Sequence, residues 1–170
     1  MADLITIGLS TIEIGNIATD GGMGDPLEQI GYTAEGTATI ETEDPEVTEF
    51  FVEEIETPIY QSSKMGKTTI SFALASPDLA QCHKVFGGEA PTGTGAAMTW
   101  NYPSGTIVVE RSLKITPKEG IVFEIPRGRI SAKFAGSFGR ADTLKVEVSV
   151  SVLQPKKAGT PPMILSLVGA

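Results

Sequence analysis

A chain of 170 residues can hold one domain with its own core, and 41% apolar with 20% charged residues excludes a disordered polymer. The net charge of −8 and the 6% aromatic content argue against a nucleic-acid-binding module, which needs positive charge and stacking rings. No apolar run is long enough to cross a membrane, Asp3 stands where a secretory leader carries Lys or Arg, and Cys82 is the single cysteine, so the sequence predicts a protein made and kept in the cytoplasm.

In chain order, residues 3–17 (DLITIGLSTIEIGNI) alternate loosely between apolar and polar positions and read as one or two strands around Gly8. Residues 18–29 (ATDGGMGDPLEQ) read as a Gly- and Asp-rich loop. Residues 30–43 predict a strand, because side chains two apart share a face. Thr33, Glu35, Thr37, Thr39, Glu41 and Glu43 then form a wet acidic face, with Ala34, Gly36, Ala38 and Ile40 behind it.

Asp44-Pro45 interrupts this pattern, and the stretch that follows fits two readings. Val47, Phe50, Phe51 and Ile55 make a helical stripe, with Asp44 as N-cap and Pro45 at the first helical position. Thr48, Phe50 and Val52 opposite Glu49, Phe51 and Glu53 make a strand. The wealth of β-branched and aromatic residues favours an extended hairpin arm over 44–64.

Residues 67–75 (KTTISFALA) read as a strand that leads into a helix. Ser76 is the expected N-cap, Pro77 the first helical residue, and Asp78 complements the positive helix end. Leu79, Cys82, Val85 and Phe86 form the apolar stripe, and Gly87-Gly88 ends it. After a loop over 87–97, strands are expected at 97–102, 106–116, 120–125, 128–137 and 143–153. In the last, Leu144, Val146, Val148, Val150 and Val152 face one way and Thr143, Lys145, Glu147, Ser149 and Ser151 the other. Residues 154–170 form a C-terminal extension that begins as a Pro/Lys linker and ends in an apolar stretch. No repeat or second boundary interrupts a single domain over 1–170.

The charge is unevenly placed. Residues 1–63 hold 14 Asp or Glu and no Lys or Arg, whereas residues 64–170 hold 13 Lys or Arg and 7 Asp or Glu. Either the acidic third folds against the basic remainder, or one subunit's acidic surface meets the next subunit's basic one. Contacts of the second kind are heterologous and generate rings or open stacks.

Motifs that carry chemistry are incomplete. Gly66-Lys67-Thr68 ends like a phosphate-binding loop, but Gln61 stands where that loop has Gly, and a strand follows instead of a helix. His83 is the only histidine, and adjacent positions on a helix point about 100° apart, so Cys82 is expected in the core and His83 on the surface. The acids from Glu41 to Glu56 lack the spacing of a calcium loop. Paired carboxylates can hydrolyse glycosides, but one Trp and three Tyr give little surface for a sugar. The charged run is better suited to guarding strand edges. Arg127, Arg129 and Lys133 share parity and are expected on one face of a strand.

The order of these features resembles that of the bacteriophage tail-tube (major tail) proteins. It runs from early strands to an acidic strand and arm, then through KMGKTTISFALASPDLAQCHKVFGG at 64–88 to further strands and a short tail. The likeness spans most of the chain in layout and is specific around 64–88. It implies a mainly β fold, an antiparallel β-sandwich or barrel with one short flanking α-helix and a long hairpin arm. It implies a non-enzymatic subunit without cofactors, in which six copies form a ring and rings stack into a hollow tube for DNA. The implied partners are further copies of itself, other tail proteins at the tube ends, and DNA passing transiently, with no membrane. The implied location is the virion tail, and the host cytoplasm during assembly.

On this resemblance Glu35, Thr37, Thr39, Glu41 and Glu43 are the candidate channel lining. Glu46, Glu49, Phe51, Glu53 and Lys64 of the arm, with Arg127, Arg129 and Lys133, are the candidate subunit interface. Residues 154–170 would pack on a neighbour, and identical neighbours would complete the sheet. Two other readings stay open: a tube subunit of a contractile injection or secretion machine that delivers protein, and a β-sandwich ligand-binding module.

Overall fold

A computed structural model describes residues 4–75 and 77–169. Within them the strands are β1 (Ile7–Gly15), β2 (Glu28–Gln29), β3 (Thr39–Thr42), β4 (Glu46–Val52), β5 (Ile55–Lys64), β6 (Thr68–Ala75), β7 (Val109–Glu119), β8 (Ile121–Ala135), β9 (Lys145–Val152) and β10 (Ile164–Leu167). One α-helix, α1 (Leu79–Phe86), lies between β6 and β7. The chain is thus mainly β and antiparallel, with one flanking helix and a long hairpin arm, as the sequence predicts. The main sheet runs β2-β1-β7-β8-β9-β6-β3 with β10 against β8, and β4 and β5 form a separate ribbon.

Alternation places the core. Val146, Val148 and Val150 of β9 are buried, and so are Ile70, Phe72 and Leu74 of β6. These join Ile12 and Ile14 of β1, Leu113 of β7, Ile125 and Ile130 of β8, and Cys82 and Val85 of α1 in one cluster. Strands near opposite ends of the sheet share this cluster, so the sheet curls. Its ends are tied within the chain. Ile30 N donates to Ile12 O at 3.0 Å beside β1, and Ala75 N donates to Tyr32 O at 2.9 Å beside β6. Ala34 N then donates to Ala73 O at 2.8 Å. Segment 28–34 therefore bridges β1 and β6 within the chain.

Four sequence expectations change. First, residues 30–43 are not one strand. Gly36 has φ +72°, a left-handed conformation that glycine adopts at little cost, and it turns the chain before β3 begins. The small, polar residues on either side carried no bulky apolar face to hold a straight strand. Second, the helix is capped by Asp78, whose side chain accepts from Gln81 N while the Gln81 side chain accepts from Asp78 N. Pro77 precedes this box and is not its first helical residue, and Ser76 lies outside the described residues.

Third, the strands expected at 120–125 and 128–137 are one, β8. Pro126 is tolerated inside it because the register to β7 shifts between Arg111 and Leu113, and a bulge does not require the missing N–H. Ser112 fills this bulge: its hydroxyl donates to Pro126 O and accepts from Gly24 N, both at 2.8 Å. Fourth, 97–102 holds no strand: Ala97 ends a 3-10 turn over Gly95–Ala97, and Thr99 makes an isolated bridge to Thr92.

Cys82 is 4% exposed. Burial first, and then the nearby Asp78 charge, push its thiol above the usual 9.0. A thiol-specific reagent should label the native chain at least about tenfold more slowly than the urea-unfolded chain, because both access and thiolate are lost on folding. Equal labelling rates would show that α1 does not pack as described.

Candidate assembly surface

The arm extends a hairpin that starts in the body. Thr42 pairs with Thr68, and Glu43 N donates to Lys67 O at 2.9 Å. Stepping one residue further on each side passes Asp44 opposite Gly66 and Pro45 opposite Met65, then reaches the Glu46–Lys64 pair of β4 and β5 without a change of register. Pro45 cannot donate to a ladder, which accounts for the interruption. Beyond it β4 and β5 pair only with each other, as far as a turn at Glu53-Glu54. This settles the two readings of the stretch in favour of a hairpin.

Every residue of β4 and β5 is exposed. They include Val47, Phe50, Phe51, Val52, Ile55, Ile59 and Tyr60, each between 37% and 62% accessible. Phe50 and Tyr60 touch only across the ribbon, with ring centroids 5.7 Å apart. A lone two-stranded hairpin is marginal in water, and a contiguous apolar patch marks a contact surface.

The arm is also acidic. Among the described residues five ion pairs form: Lys84–Glu28, Lys114–Glu124, Arg127–Glu110, Lys133–Glu147 and Lys157–Asp20. Only Glu28 and Asp20 come from the acidic first third. Glu46, Glu49 and Glu53 make no ion pair with the body, and neither do Glu54 and Glu56. The acidic third is thus left mostly unneutralised within the chain.

The candidate lining residues separate. Thr39 and Glu41 lie two apart on β3, hence on one face, and both are exposed. Glu43 continues the strand direction through its bond to Lys67. Glu35 sits in the turn and is exposed. Thr37 leaves the predicted face, because its hydroxyl donates to Ala34 O at 2.6 Å and accepts from Ala73 N at 3.1 Å.

The candidate basic residues do share the outward face of β8, where Arg127, Arg129 and Lys133 alternate with buried or half-buried neighbours. Two of them are already engaged. Arg127 grips Glu110 through Nε at 2.9 Å and Nη2 at 3.0 Å, and Lys133 holds Glu147 at 2.9 Å. The Arg127 hydrogen bond holds the Glu110 carboxyl below its usual 4.5. The unfolded chain therefore takes up this proton more readily than the folded one. The stabilisation is complete above pH ~4.5 and is lost as pH falls through the lower folded value. Urea titrations should show that Glu110→Gln abolishes this part of the acid sensitivity; an unchanged profile would remove the pair from the account.

The C-terminal extension is built into its own body. β10 runs along the same edge of β8 as β9, pairing Ile164–Leu167 with Glu124–Ile121, after Leu153 N has donated to Arg127 O at 2.9 Å. Residues 164–167 of the extension thus pair within the chain, which β8 permits because its 15 residues outrun β9.

Two clefts were not legible in the sequence. One, of about 650 Å³, opens at the end of the curled sheet and is lined by Leu9, Tyr32, Ile40, Ile70, Ile115 and Phe123 among others. The second, of about 610 Å³, lies between α1, β7 and residues 14–28. Here the ring of His83, expected on the surface, is only partly exposed. Its Nδ1 and the Nε of Arg111 are both buried without a hydrogen-bond partner among the described residues. Arg111 is engaged elsewhere, donating from Nη1 to Asn16 Oδ1. No group of three or more His, Cys, Asp or Glu among the described residues could hold a metal ion, and no helix among them is long and apolar enough to cross a membrane. No protein-family model and no curated relative matches the sequence.

Proposed function

We propose that this chain is a structural subunit that assembles with copies of itself into stacked rings, forming a tube of the phage-tail type through which DNA passes. The observation that carries this reading is the arm: 17 strand residues in β4 and β5, all exposed, rich in apolar and acidic side chains, and paired with nothing but each other. A surface of that kind is stabilised by burial on a partner, and a strand ribbon with two open edges offers its backbone for pairing as well. The acidic residues Glu35, Glu41 and Glu43, with Thr39 on the same face as Glu41, suit a wall that repels DNA phosphates.

Negative-stain microscopy and sedimentation of the purified chain test the reading. Rings or tubes are the expected result, and a monomer at every concentration would end it. For the channel, tubes carrying Glu35→Lys and Glu41→Lys should still form, pass DNA more slowly, and retain duplex DNA on co-sedimentation at low salt, where unaltered tubes do not. Phosphate contacts to Lys release counterions and create the affinity. Equal passage and retention by both kinds of tube would remove these residues from the wall.

The cleft of about 650 Å³ favours a second reading, a ligand-binding module, since its size and apolar lining match small-molecule sites. A monomer whose thermal stability rises with an apolar ligand would favour that module over the tube.

A further inference from the structure

We infer that the cleft between α1, β7 and residues 14–28 is the socket for the arm tip of a second copy, with a carboxylate of Glu53 or Glu54 accepting from Arg111. This rests on the self-assembly reading above and names the surface that the arm meets.

Three observations carry it. The first concerns the cations. Arg127 and Lys133, although on the outer face of β8, are held by Glu110 and Glu147. Arg111, like Arg129 and several lysines, has no carboxylate partner among the described residues, and it differs from them in that its Nε is enclosed without an acceptor. The second is that His83 Nδ1 is enclosed in the same way and lines the same cleft. The two residues that carry these orphaned nitrogens come from separate elements, α1 and β7, and line one cleft. A guanidinium with a free Nε–H accepts a carboxylate in a fixed, planar geometry.

The third observation is the shape and chemistry of the arm end. The turn at Glu53-Glu54 places two adjacent carboxylates at the point furthest from the body, both exposed. The seven residues of β4 carry them roughly 23 Å outward at ~3.3 Å per residue.

The attraction is directed rather than a matter of net charge. Asp25 and Glu28 also line the cleft. Glu28 is held by Lys84 at 2.6 Å, and Asp25 is exposed. An entering carboxylate therefore meets Arg111 as the cation without an acidic partner. Tip and socket are different surfaces of one chain, so the contact is heterologous and propagates into a ring or a stack.

Photo-crosslinking tests this on the full chain. With p-benzoylphenylalanine in place of Glu54, assembled material should give intermolecular crosslinks that map to residues 14–28, to His83-Lys84 or to Arg111. In parallel, Arg111→Lys, which keeps the charge and loses the Nε donor, should raise the concentration needed for assembly at least about tenfold, with unfolding in urea as the control for its fold. Crosslinks that fall only elsewhere on the neighbour, such as Arg129 or Lys156, would overturn the socket and leave self-assembly standing. A monomer without intermolecular crosslinks would overturn both.

Discussion

Replacing residues 44–66 by Asn-Gly should leave a folded body that no longer assembles. Glu43 and Lys67 already face each other as the last pair before the interruption, so a two-residue loop closes β3 onto β6 in the register they have, and Asn-Gly suits the type I′ turn such a loop adopts. None of the removed residues belongs to the buried core. Its stability should therefore change by no more than about 1 kcal/mol, as for changes remote from the core. Assembly should be lost entirely. Seven half-exposed apolar side chains, each gaining on the order of 1 kcal/mol on burial, would together stabilise a subunit contact by several kcal/mol. That is comparable to the lower range of what association itself costs, about 4 kcal/mol and upward. Sedimentation velocity and a urea melt read the two halves of the expectation separately. Rings formed by the shortened chain would show that contacts between bodies suffice.

Gly66→Ala should act at a distance on the same property. Gly66 stands opposite Asp44 at the joint between body and arm, and a methyl group there collides with the Glu43 carbonyl oxygen, with Asp44 O at 3.0 Å. Both are backbone atoms and cannot swing aside as a side chain can. The two strands must part at the joint, the Glu43–Lys67 bond weakens, and the arm leaves its direction. The body lies outside this disturbance, so its unfolding should change little while the concentration needed for assembly rises at least about tenfold, equivalent to 1.4 kcal/mol in the contact. Gly105→Ala is the matched control, since nothing lies within 4 Å of a methyl group there. If Gly66→Ala assembles like the control, the joint does not set the arm's direction.

Much of this architecture is legible in the sequence where side chains alternate strongly. The valines of β9 and the apolar positions of β6 announce their inward face, and the β-branched and aromatic stretch over 44–64 announces an extended arm. Legibility fails where side chains are small or where a partner is remote. Residues 33–38 are Thr, Ala, Glu, Gly, Thr and Ala, and alternation among such residues fits a turn as well as a strand. The capping box of Asp78 and Gln81 was visible as a spacing, but Ser76-Pro77 offered a competing start two residues earlier. Arg127 showed the right face and the wrong availability, because Glu110 reaches it across the β7–β8 ladder, which no local pattern encodes. Arg111 was hidden for a related reason. Arg111 shares the parity of the buried Val109 and Leu113 on β7, and the cleft that it lines beside α1 follows from the packing and not from the spacing.

The neighbour order of the sheet also governs synthesis. β1 is translated first, yet its long ladder partner β7 begins only at Val109, so the core cannot close until most of the polypeptide has left the ribosome. The arm, whose strands are joined by a two-residue turn, can form as soon as it emerges, because local pairing is fast and distant pairing slow. On the self-assembly reading, each nascent chain shows its exposed ribbon to its siblings on the same messenger before it has a body to mount it on. The interval between residues 64 and 109 is when tangling is most dangerous and when a chaperone that shields apolar strands matters most.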